Sequence, residues 1–373
     1  MPGTPSPGKM KRIIKLIFIN LVVFVVLWTG VEVVLHLLGV NTVHEINKKT
    51  MGPRFQSICR RALTEKLVVY NAFYTDSEGI FKANPAFDFN IIYKKNGRYI
   101  INSEGFRGNE FKPADTPQPS VFLVGDSFVW GNSASPIQNS FADLVQNEGY
   151  YVYNGGIGGT DPLQYLKVIK KYTPVIKPNV TAVCIYMGND TRPFPHPTQP
   201  NKNLYYISNF GYFLGYNNRD GHYFNSAEES FAFFKKRYCG CSESIGDYFM
   251  NDTVLGKLVS DLMNKARRRK PDPERKWLRN ALFEMQQVCE KSGSEFMVLL
   301  IPKVKGNMDP TLSIKKRLHF FKDLPYFYPS DLKTSDYCSP PDDHFNNPGH
   351  RKFADFIIRT LKERGYFPVK TSG

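Results

Sequence analysis

Four runs in this chain are apolar almost from end to end: Ser120–Gly125, Tyr151–Tyr153, Thr181–Tyr186 and Glu295–Ile301. A strand with one face in water alternates apolar and polar residues, so continuous runs predict strands covered on both faces, as in a parallel sheet between helix layers. Helix-like stretches stand between them, at about Pro162–Tyr172 and Pro273–Lys291. The chain therefore reads as α/β. Its 373 residues, 42% of them hydrophobic, can bury a substantial core, which excludes disorder throughout. In open sheets of this kind the ligand site forms outside the carboxyl ends of the strands. Three of these runs lead into small or polar sequences there: Gly125-Asp-Ser127, Asn154-Gly-Gly-Ile-Gly-Gly159 and Gly188-Asn-Asp190.

The N-terminus sets the compartment. Leu16–Val31 is apolar apart from Asn20, Thr29 and Gly30, and the apolar character resumes after Glu32 through Leu38. That length predicts one transmembrane helix over residues 16–38, with Glu32 and His36 near the far interface. Lys9, Lys11, Arg12 and Lys15 precede it with no acidic residue, so residues 1–15 are expected in the cytoplasm and everything after about residue 40 outside it. A cleaved signal peptide is the rival reading, but the stretch is long for one and no Ala-x-Ala site follows. The formal net charge of +15 predicts an acidic partner: nucleic acid, anionic lipid or an anionic surface polymer. Export removes nucleic acid from that set.

Residues 41–115 form an irregular lead-in with one strand-like alternation, Phe89–Tyr93, and residues 116–370 form the main domain. Residues 192–270 interrupt the strand–helix alternation and read as an insertion containing a hairpin, Leu204–Leu214, that turns at Asn209–Gly211. Its aromatic residues fit packing across paired strands, or stacking on sugar rings. Lys265–Lys270 reads as the solvated end of a helix that Pro271 stops. Among the six cysteines, Cys184 and Cys289 fall on apolar faces and read as core thiols, while Cys239-Gly-Cys241 reads as a loop disulfide element or as incidental. Connectivity for Cys59 and Cys338 is not readable.

A serine hydroxyl needs a base to take its proton and donors to hold the oxyanion. Ser127 sits just after a buried strand, where a turn exposes its hydroxyl, although Gly-Asp-Ser alone is also ordinary turn material. The order of the other motifs raises its standing, and here the chain resembles the SGNH, or GDSL, hydrolase superfamily over roughly residues 102–367. Gly-Asp-Ser-Phe is similar to that family's serine block, Asn154–Gly159 to its glycine block, Gly188–Asp190 to its Gly-x-Asn-Asp block, and Asp342-Asp-His344 to its last block, before a C-terminal helix. The resemblance implies a three-layer α/β/α, flavodoxin-like parallel sheet. It implies Ser127 as nucleophile and His344 as base, oriented by an aspartate. The backbone N–H groups of Ser127 and Gly159 and the side-chain amide of Asn189 would then form the oxyanion hole. The commoner pattern puts the aspartate three residues before the histidine, where this chain has Pro341. Asp342 resembles the Asp-x-His variant of anchored members, and Asp343 stays open. His350 reads as packing at the start of the last helix and His196 as a loop residue. No cofactor is implied: Gly155–Gly159 lacks dinucleotide-loop spacing and no cluster has metal-ligand spacing.

The expected activity is cleavage or transfer of an O-acyl group on an extracytoplasmic carbohydrate or polysaccharide through an acyl-serine. Water would accept the acyl group in an esterase and a sugar hydroxyl in an O-acetyltransferase. The resemblance implies for the latter a membrane-bound O-acyltransferase partner. The alternative is a cell-envelope binding or assembly protein that keeps the fold without the chemistry.

Overall fold

A computed structural model describes residues 7–42, 45, 69–70, 72–91, 97–191, 205–207, 213–215, 232, 245–267, 276–304, 309–339 and 342–369. In chain order its principal helices are α1 (Pro7–Leu37), α2 (Ser127–Trp130), α3 (Phe141–Asn147), α4 (Pro162–Ile176), α5 (Val254–Arg267), α6 (Lys276–Lys291) and α7 (Asn347–Glu363). The central strands are β1 (Ser120–Gly125), β2 (Tyr151–Gly156), β3 (Val180–Tyr186), β4 (Glu295–Ile301) and β5 (Tyr326–Phe327). The chain divides into two compact units, residues 1–67 with 226–270, and residues 68–225 with 271–373.

In the larger unit the five strands are all parallel, in the spatial order β2-β1-β3-β4-β5. That is the flavodoxin-like order, whose switch point lies between β1 and β3. Side chains leave a strand on alternate faces, and both faces are filled here. Phe122, Val124, Val183, Ile185, Val298 and Leu300 face the apolar sides of α4 and α6, including Tyr165, Ile169, Leu282 and Met285. Val121, Leu123, Ala182, Cys184, Met297 and Leu299 belong to the opposite core, with Phe141, Phe353, Ile357 and Leu361 of α3 and α7. Cys184 and Cys289 are buried free thiols, as their apolar surroundings predict; Cys59, Cys239 and Cys241 lie outside the described residues.

The structure changes two readings of the sequence. The alternation at Phe89–Tyr93 is not a strand: Phe89–Ile91 is a 3-10 turn, and Tyr93 lies outside the described residues. Asp88 explains it, because its carboxylate accepts the Asn90 backbone N–H at 2.9 Å and Asn90 Nδ2 at 2.7 Å, closing a local turn that competes with strand pairing. Phe89 is buried against Phe73 and Trp130 instead. Second, β2 runs through Asn154 into Gly156, which pairs with Gly125. A Cβ on Gly156 would lie 2.5 Å from the Trp130 backbone nitrogen, so glycine there is what lets α2 pack onto the sheet end. The strands of the anticipated hairpin, Tyr205–Ile207 and Phe213–Gly215, are paired antiparallel, and its turn lies outside the described residues, as does His196.

The smaller unit holds α1, in which Ile14–Leu37 is a 24-residue apolar stretch whose most apolar part is not buried in the protein. The helix is long and apolar enough to cross a membrane. The basic run that ends α5 is described only as far as Arg267.

Candidate active site

The carboxyl edge of the sheet gathers the residues singled out in the sequence. Ser127 is the first residue of α2, immediately after the cap residue Asp126, whose carboxylate accepts the Phe128 backbone N–H at 2.9 Å. Gly131, at φ +94°, closes that single turn. The Ser127 hydroxyl is thus held at the edge by a helix too short to reach past it. It lies 2.7 Å from His344 Nε2, and His344 Nδ1 lies 2.6 Å from Asp342 Oδ1. These distances are those of strong hydrogen bonds in series from hydroxyl to imidazole to carboxylate.

The two adjacent aspartates have different partners. Asp342 accepts from the His344 ring and, at 3.1 Å, from the His344 backbone N–H, while its second oxygen accepts the Ser133 hydroxyl at 2.6 Å. Asp343 accepts a short hydrogen bond from Tyr186, whose ring packs 4.5 Å from that of Phe128. Phe128 also lies 5.0 Å from the His344 ring and 5.0 Å from Phe345, which walls the imidazole on its apolar side. Asp342, Asp343 and His344 offer ligand atoms within 4.8 Å of one another, but both His344 nitrogens are already engaged, one by Asp342 and one by Ser127.

Burial works to raise the Asp342 pKa, but hydrogen bonds from His344 and Ser133 bring it down to about 2. Burial works to lower that of His344, yet the Asp342 hydrogen bond and charge, helped by Asp126 and Asp343, carry it above its ordinary value of 6.5. The imidazole is therefore a stronger base than a free histidine, and its far nitrogen is held by a carboxylate that stays charged.

The oxyanion candidates lie on adjoining loops. A Cβ placed on Gly158 would stand 3.6 Å from that of Ser127, so the glycine block passes directly over the serine, and Gly159 follows at φ +83°. Asn189, just past β3, donates from Nδ2 to Asp126 Oδ2 at 3.4 Å, which leaves its second amide hydrogen available. Its neighbour Asp190 is wholly buried and accepts the Tyr186 backbone N–H at 2.9 Å and the Tyr165 hydroxyl at 3.1 Å. Burial, with the nearby Asp126 charge, pushes the Asp190 pKa well up. Asp190 thus pins the loop that presents Asn189. His350 is buried in the first turn of α7, accepting the Phe141 backbone N–H at Nδ1 and facing the Asn132 carbonyl at 3.1 Å through Nε2. It packs the helix opening, and burial lowers its pKa to about 4.

Ser133 and Tyr186 were not singled out in the sequence. Neither belongs to a motif, and each meets its aspartate across more than 150 residues, Ser133 at a separation of 209 and Tyr186 at 157. Ser133 is a non-glycine residue at φ +68°, a left-handed conformation that the loop between α2 and α3 imposes and that turns its hydroxyl to Asp342. Ser133→Ala is expected to lower kcat about tenfold with KM little changed, the scale of one hydrogen bond to a charged group. Ser133→Gly, which suits the backbone, should show the same loss, and steady-state kinetics on both variants checks it.

Fold and site together form a parallel α/β sheet with a Ser-His-Asp set at the carboxyl end of β1, beside the switch point. The chain matches no protein-family model and no curated protein. It is similar to solved structures, among them the lipase/acylhydrolase from Enterococcus faecalis, with 14% identity over 68% of this chain and 100% of that one and a TM-score of 0.36. A GDSL-like lipase from Bacteroides thetaiotaomicron VPI-5482 is 9% identical over 66% of this chain and 89% of that one, with a TM-score of 0.33. A two-domain esterase (CEX) active on acetylated mannans is 11% identical over 68% of this chain and 52% of that one, with a TM-score of 0.33. At such scores the assignment of the fold rests on this chain's own strand order.

Proposed function

We propose that the chain is a serine-dependent O-acyl ester hydrolase or O-acetyltransferase that works through an acyl-Ser127 intermediate on a carbohydrate outside the cytoplasm. The observation that carries this reading is the hydrogen-bonded series Ser127–His344–Asp342. His344 Nε2 takes the hydroxyl proton as Ser127 Oγ attacks the ester carbonyl, and Asp342 steadies the imidazolium that forms. The backbone N–H groups of Ser127 and Gly159 and the free amide hydrogen of Asn189 stabilise the oxyanion, where losing one donor typically costs about 3 kcal/mol. Collapse breaks the ester C–O bond, and His344 returns the proton to the departing alcohol. Water or a sugar hydroxyl then attacks acyl-Ser127, giving up its proton to His344, and the serine is regenerated.

The carbohydrate part rests on placement and charge. The basic residues at the start of α1, Lys9 to Lys15, favour a cytoplasmic N-terminus with the catalytic unit exported, where most of the chain's net charge of +15 would suit an anionic polymer. A membrane-bound O-acyltransferase would be the natural acetyl donor for the transferase version. Exposure of the protein to an activated acetyl ester should add one acetyl group to Ser127, read by mass spectrometry. Discharge faster with oligosaccharide than with water identifies the transferase, discharge by water alone the esterase, and no adduct on Ser127 refutes both.

The pH profile follows from the imidazole. Catalysis needs His344 neutral, and its pKa lies above 6.5, so kcat/KM should rise through pH 6.5 and level off only above it. A plateau already reached at pH 6 would contradict this basicity.

A further inference from the structure

Helix α5 carries an apolar stripe that the described residues leave partly exposed. Leu258, Val259, Leu262 and Met263 follow the i, i+4 rhythm of one helix face and are 37%, 36%, 65% and 44% exposed. The polar side is separate, with Lys257 and Asp261 paired at 2.7 Å. A helix of 14 residues with one bare apolar face calls for a partner.

The start of α5 says which. The backbone N–H groups of Val254 and Leu255 donate to Glu32 Oε1 and Oε2 at 2.6 and 3.1 Å, so a carboxylate of α1 caps α5 from outside its own helix. Just before that cap, Phe249 packs edge-on against Trp28 of α1 at 5.0 Å, beside the half-exposed Tyr248. Glu32 stands eighteen residues beyond Ile14, about 27 Å along a helix at 1.5 Å per residue, which is close to the thickness of a bilayer's hydrocarbon core. Trp and Tyr collect at that depth. The cap thus fixes the first turn of α5 at the outer boundary of the membrane. Past the stripe the sequence turns basic, Lys265 and Arg267 to Lys270, which complements anionic headgroups.

We propose that α5 is an interfacial helix that beds Leu258, Val259, Leu262 and Met263 into the outer leaflet of the membrane α1 crosses. The occupant of the bare stripe is lipid, and the inference rests on the reading of α1 as a membrane span. Glu32 is then the joint between a spanning helix and a surface helix, which accounts for the one carboxylate between Ile14 and Leu37.

The full chain, reconstituted in phosphatidylglycerol-containing vesicles doped with a lipid bearing a photoactivatable acyl chain, tests this by mass-spectrometric mapping of lipid adducts. Adducts are expected on α1 and on the α5 peptide containing Leu258–Met263. The double variant Leu258→Asp, Leu262→Asp should lose α5 adducts at least tenfold while keeping those on α1, and Leu262→Gln, a milder change, should lose part of them. Adducts on α1 with none on α5 in the unaltered chain would overturn the interfacial helix and leave the anchor standing. Equal α5 labelling in all variants would also overturn it. Absence of adducts on α1 would remove the anchor itself, and the interfacial helix with it.

Discussion

Ser127→Ala is expected to lower kcat on an aryl acetate by about 10⁵ to 10⁶, the scale seen when the nucleophile of a serine triad is removed. The fold should be indifferent to the change. The cap of α2 is made by Asp126 and the packing beside the serine by Phe128 and Val129, none of which uses the Ser127 hydroxyl. Alanine is moreover a good helix former. Equal circular dichroism and thermal midpoints for the two proteins, with phenol release lost only in the variant, is the result sought. If both release phenol at the same slow rate, the site does no chemistry, and a binding or assembly role in the cell envelope becomes the better account.

The second large effect separates two neighbouring carboxylates. Asp342→Asn should cost about 10⁴ in kcat, because an amide turned to the imidazole favours the tautomer that cannot accept the serine proton. The same change removes the charge that raises the His344 pKa, so the acid limb of any residual activity should move toward the ordinary histidine value. Asp343→Asn should cost less than about tenfold, since Asp343 accepts from Tyr186 rather than from the imidazole. Side-by-side pH–rate profiles of the two variants measure both. A larger loss for Asp343→Asn would reverse their roles.

These two aspartates mark where reading the sequence stops. The strands were legible because burial on both faces leaves a continuous apolar run, whereas Ser127, Gly159 and Asn189 were singled out by the resemblance of the motifs that follow those runs. Between Asp342 and Asp343 the Asp-x-His resemblance favours the first and leaves the second open, since residues one apart on a loop differ only in which way the backbone turns them. The Ser133 hydroxyl depends on a left-handed backbone angle, and Tyr186, read as the last residue of an apolar strand, reaches Asp343 only through tertiary placement. The alternation at Phe89–Tyr93 misled for the opposite reason. A two-residue rhythm is written by aromatic packing around a turn as readily as by a strand, and Asp88 decided which. Strand β5, two residues long, is too short to leave any periodicity. The tie between Glu32 and α5 joins residues more than 220 apart and was equally invisible.

The hydrogen bond from Ser127 to His344 closes a separation of 217 residues. A chain that emerges from its N-terminus therefore displays its serine long before its base arrives, and contact order of this kind makes the reactive set among the last features to form. Incomplete nascent chains and C-terminally clipped fragments would carry an inert hydroxyl. On the proposed function, reactivity toward esters would then appear only once the last segment of the chain has folded into place.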